Sequence, residues 1–253
     1  MRCRWTCVRA SDAVSGVDNN NQGRYEPMID NNNPGLERAR APFDLTHVMK
    51  FNFLYTLPMG EGHMLSWRPL NRYVLSGWQL SGIFNRQSGE NFSVYSGRGT
   101  FNRQTNVQSN QGNTMNSALT MDQLRGVFQF RMTGNGPYFA SASAIGTDGR
   151  AVAPDGSPAF AGQAFTMPAA GTIGTLGRRI FDGPWDTTFN FALNKNFRVT
   201  ERNIIQLRMI GQNIFNHPTF AIGDQTATSA TFGKITSTFA GARVFQFGLY
   251  WDF

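Results

Sequence analysis

No run of ~18 apolar residues occurs anywhere in the chain, which excludes a helical membrane span. Histidine is scarce: His47, His63 and His217 are the three present, and none stands at metal-ligand spacing from another. The two cysteines, Cys3 and Cys7, lie together in Met1-Arg-Cys-Arg-Trp-Thr-Cys7. That spacing could close a small disulfide or supply half a metal site, but no second Cys or His pair follows, so no metal is expected. Gly-x-Ser-x-Gly, phosphate-loop and dinucleotide glycine patterns are all missing, so neither an enzyme nor a cofactor is expected. Charged residues make up 15% of the chain, against roughly a quarter in ordinary soluble domains. The net charge of +7 comes from scattered Arg and Lys with no basic run among aromatics, which argues against nucleic acid as a partner. Arg2, Arg4 and Arg9 precede no apolar stretch, so the opening residues do not read as a signal peptide.

What the chain does have is phenylalanine, 22 residues beside 6 Tyr and 5 Trp, in a sequence whose mean hydropathy is slightly polar. Strands that turn only every second residue toward an apolar medium produce that combination. The last nine residues, Phe245-Gln-Phe-Gly-Leu-Tyr-Trp-Asp-Phe253, alternate strictly and end on an aromatic. Phe245, Phe247, Leu249, Trp251 and Phe253 share one face, too apolar for a short edge strand in water. Lipid is the medium that suits it, although the inner face of a soluble sandwich would look the same on this segment alone.

Four earlier segments alternate similarly. Thr46–Leu57 aligns Met49, Phe51, Phe53, Tyr55 and Leu57, and Pro58 ends it. Tyr73–Arg86 aligns Val74, Trp78, Leu80 and Phe84. Thr187–Phe197 aligns Phe189, Phe191, Leu193 and Phe197, with Lys195 on the same face near the strand end, where a long cation can snorkel. Asn203–Phe215 alternates more weakly, because Ile204 and Ile210 fall on the face of Gln206 and Arg208. Residues 96–183 form a long Gly-, Asn- and Ser-rich stretch without regular pattern, and residues 1–43 read as a polar, extracellular-loop-like segment ahead of a barrel portion over 44–253.

Counted back from the C-terminus, the connections run long, short, long, moderately short. Bacterial barrels show this asymmetry, with short turns on the periplasmic side and long loops outside. The expectation is an all-β, antiparallel transmembrane β-barrel in an outer membrane. Five clear strands cannot close one, since such barrels start at about eight. The chain is therefore expected to be a C-terminal fragment carrying about five to eight strands.

Several pieces, in order, resemble the C-terminal part of TonB-dependent outer-membrane receptors of the Oar-like type, which carry a carboxypeptidase regulatory-like domain. They are Ala41-Pro-Phe-Asp-Leu-Thr-His47, Leu80-Ser-Gly-Ile-Phe-Asn-Arg-Gln-Ser-Gly89, Gly174-Thr-Leu-Gly-Arg178, Leu193-Asn-Lys-Asn-Phe197, Asn213-Ile-Phe-Asn-His-Pro-Thr-Phe220, Phe232-Gly-Lys-Ile-Thr236 and Arg243-Val-Phe-Gln-Phe-Gly248. The resemblance implies a 22-stranded barrel plugged by an N-terminal domain, energised through TonB by a region absent here, and admitting a bulky extracellular solute. It also implies that the barrel-assembly machinery reads Phe253. The strand holding Arg208 departs from the family, which tends to carry an acidic residue and an aromatic shortly after that Arg, where this chain has Ile210 and Gln212.

Lipid-facing positions are expected at Met49, Phe51, Phe53, Trp78, Leu80, Phe84, Phe189, Phe191, Leu193, Phe245, Phe247, Leu249, Trp251 and Phe253, with outer-membrane lipid as the partner. Trp67, Trp78, Trp185 and Trp251 suggest an aromatic girdle, Trp78 lying nearer mid-strand. Asp44, Asp182 and Asp186 read as strand-end residues that stop pairing or meet water. His217 reads as a turn residue, and Tyr138 and Phe139 as loop aromatics that could stack on a ligand. Two other readings compete: a structural or adhesive outer-membrane protein using the 96–183 loop, and a secreted soluble β-sandwich that binds glycans.

Overall fold

A computed structural model of the chain describes residue 30 and residues 32–41, 43–60, 74–98, 113–200, 202–239 and 241–253, together with the strand backbone of 2–6 and 11–12. The strands are β1 (Arg2–Thr6), β2 (Ser11–Asp12), β3 (Ala39–Arg40), β4 (Val48–Thr56), β5 (Trp78–Gln87), β6 (Asn91–Phe92), β7 (Phe130–Thr133), β8 (Gly136–Phe139), β9 (Phe181–Asp182), β10 (Asp186–Arg198), β11 (Ile204–Gln212) and β12 (Val244–Asp252). The one α-helix among the described residues, α1 (Met121–Val127), is far too short to cross a membrane. No helix is expected from the sequence in this stretch; its N-terminus is fixed by a capping box, in which Thr120 and Gln123 each bond the other's backbone N–H.

Six strands form one sheet in the order β1-β4-β5-β10-β11-β12, and every neighbouring pair is antiparallel. The five alternating segments of the sequence are its last five strands. The first, β1, comes from a stretch where no strand was expected. It pairs with β4 from Arg2 opposite Asn52 to Thr6 opposite Val48. Among the described residues β1 and β12 do not pair with each other, so the sheet is open.

Register puts the strand ends that flank 57–77 and 199–203 at one end of the sheet and those that flank 7–47, 88–185 and 213–243 at the other. The 199–203 turn is closed by Val199 N–H and Thr200 N–H donating to the Asn203 carbonyl. The described parts of 88–185 and 213–243 fold into a cap with its own apolar core, containing Phe92, Val94, Met115, Leu124, Phe165, Phe181 and Phe232. Phe128 lies 4.9 Å from Phe92 and 4.6 Å from Phe181, ring centre to ring centre. Isolated bridges such as Tyr95 with Thr114 and Asn116 with Thr166 hold this coil together in place of long strands.

Two strand boundaries differ from the sequence reading. The segment expected from Tyr73 becomes a strand only at Trp78, because Gly77 has φ +82° and turns the chain just before it. Trp78 thus stands at a strand end, its indole N–H donating to the Val74 carbonyl at 2.7 Å. The segment expected to run to Phe215 stops at Gln212, because Asn213 (φ +46°) and Asn216 (φ +51°) both take left-handed backbone.

Candidate functional site: a two-faced sheet beneath a folded cap

Residues directly opposite in an antiparallel pair point to the same face. The register therefore gathers the expected lipid-facing positions on one side of the sheet. Met49, Phe51 and Phe53 of β4 join Trp78, Leu80 and Phe84 of β5, then Phe189, Phe191 and Leu193 of β10, then Phe245, Phe247, Leu249 and Trp251 of β12. Phe253 continues that alternation one residue past β12, 94% exposed and edge-on to Trp251. The same face also carries Tyr55, Phe197, Ile205, Leu207 and Met209. The β11 members were hidden in the sequence because Ile204 and Ile210 make the opposite face apolar too; counting odd positions alone would have found them.

Aromatics close the two gaps in this face. A Cβ on Gly82 would lie 2.5 Å from the Phe53 ring, and one on Gly211 would lie 3.0 Å from the Phe245 ring. Each glycine lets a ring from the next strand lie flat across it. Lys195 sits on this face but does not reach water. Its side chain is buried, its ammonium donates to the Ser76 carbonyl, and it lies 5.3 Å from the Trp78 ring and 5.0 Å from the Phe197 ring. The cation is thus enclosed by a carbonyl and two rings, not snorkelling as the sequence suggested.

The aromatic and polar residues fall at the two edges of the apolar band. Trp78, Tyr55 and Trp251 mark the short-turn end, and Trp185, Arg86 and His47 mark the cap end. From Trp78 to Arg86 the strand covers roughly 27 Å, or roughly 21 Å along the normal at the usual ~40° tilt, close to the ~25 Å apolar band of a spanning barrel.

The opposite face is mostly polar. Lys50 and Asn52 of β4, Gln79, Ser81 and Asn85 of β5, Asn190 and Asn194 of β10, Gln206 and Arg208 of β11 and Gln246 of β12 line it, interrupted by Leu54, Ile83, Ile204, Ile210 and Val244. Arg208 has neutral partners where the family resemblance implied an acid. Its guanidinium donates to Asn194 Oδ1 and Gln206 Oε1, each at 3.1 Å, and lies 5.2 Å from the Tyr250 ring.

An ionic clamp ties the cap to the sheet. Arg40 donates to Asp44 Oδ2 at 2.8 Å, to Asp182 Oδ1 and to Thr46 Oγ1. Asp44 is buried in this clamp rather than meeting water, and Asp186 instead accepts from the Thr219 hydroxyl at 2.6 Å. Burial works to lower the Arg40 pKa, but the two carboxylates outweigh it and hold the guanidinium above its ordinary value. Asn91 adds amide bonds to the Ala41 and Asp44 carbonyls, and Arg179 donates to the Arg40 carbonyl.

Two clefts open near the cap. One, of 260 Å³, lies within it between Arg98, Arg150 and Asp155; the other, of 410 Å³, opens on the apolar face beside Trp185. Phe139 is packed against Phe92 and Phe128 in the cap core, and the Tyr138 ring stacks on Arg131, so these two loop aromatics are committed to folding contacts. His217 is held in a turn by Asn213, which accepts from its N–H and donates to its carbonyl. Among the described residues no three His, Cys, Asp or Glu side chains gather as a metal site. Cys7, His63, Trp67 and the side chain of Cys3 lie outside the described residues.

A family model described as an outer membrane beta barrel domain matches residues 2–246. No curated protein and no solved structure matches the chain.

Proposed function

The chain belongs to the outer membrane beta barrel domain family, and from that membership we propose that it forms barrel wall in a TonB-dependent receptor that admits a bulky extracellular solute. The protein resides in the outer membrane of a Gram-negative-type bacterium. Its fold is an antiparallel β-sheet of the transmembrane-barrel type.

One observation carries it: a sheet apolar on one side and mostly polar on the other, with the described parts of two long connections folded into a cap at one end. The apolar side meets lipid, the polar side lines the lumen, and the cap faces outward, where a solute is first met. Neutral amides and hydroxyls dominate the lumen side, which suits passage of a large polar solute better than tight retention. Phe253 is offered to the barrel-assembly machinery, and TonB acts through a plug region N-terminal to the barrel. The proposal includes no catalytic step and no cofactor.

Deleting the gene in native cells and measuring uptake of labelled iron chelates, corrinoids and oligosaccharides tests the reading. Loss of uptake of one probe, reproduced in the parent when a protonophore collapses the inner-membrane gradient, supports it. Unchanged uptake of every probe would instead favour a structural or adhesive role, for which the compact cap is also a suitable exposed surface.

A further inference from the structure

The 410 Å³ cleft lies where the apolar face meets the cap, lined by Arg86, Trp185, Thr187, Phe189, Phe215 and His217. Its floor is aromatic, Phe189 and Phe215 stacking at 5.2 Å with 20° between their planes. Its wall is cationic. The Arg86 guanidinium stands 5.1 Å from the Trp185 ring centre, and Trp185 also stacks on His47. Beyond the cleft's lining, Arg243 is exposed; its backbone donates to Asn216 Oδ1, its guanidinium donates to the Ile214 carbonyl at 3.4 Å and lies 5.6 Å from the Phe245 ring. Neither Arg86 nor Arg243 has an ion-pair partner among the described residues. The nearby carboxylates are engaged elsewhere, Asp182 by Arg40 and Asp186 by Thr219 on the other face.

We propose that this cleft is a binding site for a phosphorylated, acylated lipid of the outer leaflet, with an acyl chain on the Phe189–Phe215 floor, one phosphate at Arg86 on the cleft wall and a second phosphate reaching Arg243 beyond the rim. The inference rests on the reading that the apolar face meets lipid. Charge complementarity chooses the occupant. A soluble anion has no use for an aromatic floor opening onto a lipid face, and an uncharged lipid leaves two arginines at headgroup level without a counter-ion. Arginine suits the task because its planar fork matches phosphate oxygens while its stem lies on aromatic surface.

The test uses the full chain refolded in vesicles of phosphatidylethanolamine doped with either bisphosphorylated or dephosphorylated lipid A. The protein is floated, extracted in mild detergent, and its bound lipid counted by native mass spectrometry. The wild type retains the phosphorylated form in preference, and Arg86→Gln and Arg243→Gln each lower that retention about fivefold. Equal retention of the two forms, or variants that retain lipid A like the wild type, would overturn the headgroup site while leaving the lipid face intact. Failure to float with either vesicle would defeat the lipid-face reading itself, and the site with it.

Discussion

Arg40 and Asp44, four residues apart, form a charge-assisted bond of 2.8 Å in which the carboxylate is fully buried and the guanidinium is 24% exposed. The same guanidinium reaches Asp182, 142 residues along the chain, so one side chain pins two distant parts of the cap side to the foot of β4. Asp44→Ala removes the buried partner but leaves Asp182 in place. It should therefore cost about 2–3 kcal/mol, less than the ~3–5 of a fully buried broken pair. The cost should appear as cap proteolysis at lower urea than in the wild type. Because the Arg40 pKa is raised, the contact contributes fully below the ordinary arginine value and is lost only as pH climbs past a still higher one. Changing pH from neutral to mildly alkaline should thus leave the proteolysis pattern unchanged.

Asn213 ends β11 and begins the path to β12. Its amide accepts from His217 N–H at 3.1 Å and donates to the carbonyls of His217 and Gly241 at 3.0 and 3.1 Å, while the residue itself sits at φ +46°. Asn213→Ala leaves those backbone groups short of partners and places a β-carbon residue in left-handed backbone, for a loss of about 2–4 kcal/mol. Asn213→Gly relieves the backbone but not the missing bonds, so it should fall between wild type and alanine in urea unfolding. An alanine variant as stable as wild type would show that water replaces the amide.

How much of this was legible follows from what each element buries. Four of the last five strands of the sheet could be read plainly because one face is apolar and the other mostly polar, which imposes a period of two on Phe51, Phe84, Phe191 and Phe247 alike; in β11, Ile204 and Ile210 blur it. β1 could not, since Arg2-Cys-Arg-Trp-Thr6 is short and begins on alternating arginines. The cap was illegible for a different reason. Its core residues come singly from coil held by isolated bridges, or from elements as short as α1, β6 and β9, so no local period announces them. Asp44 looked like a solvated strand-end residue because its partner Arg40 is adjacent in sequence but its burial depends on Asn91 and Arg179 from the cap.

Gly77 shows how one residue sets a strand start. A Cβ there would sit 2.5 Å from the Asn196 carbonyl oxygen, the backbone φ is +82°, and the Gly77 carbonyl accepts from Asn196 N–H at 2.9 Å. Gly77→Ala meets backbone that cannot yield and strained φ together, so a loss of about 1–3 kcal/mol is expected. Gly126, inside α1 with open space around its missing Cβ, is the contrast: Gly126→Ala should raise stability by roughly 0.5–1 kcal/mol. Paired urea titrations that move in the same direction would contradict one of the two arguments.

Leu249 and Gln246 lie on opposite faces of the same strand, Leu249 opposite Leu207 and Gln246 opposite Ile210. In water an arginine would be tolerated at either position, since both are exposed, Leu249 at 71%. In a bilayer the two part, because the Leu249 side is then the one in hydrocarbon. Leu249→Arg should lower folding stability in vesicles by about 2–4 kcal/mol if the residue lies near the midplane, and by less toward the interface. Gln246→Arg, directed at the polar side, should change it by less than about 1 kcal/mol. Vesicle titrations of both variants separate lipid-facing from lumen-facing sides on one strand. If Leu249→Arg inserts and unfolds like the wild type while Gln246→Arg fails, the two faces have been assigned the wrong way round.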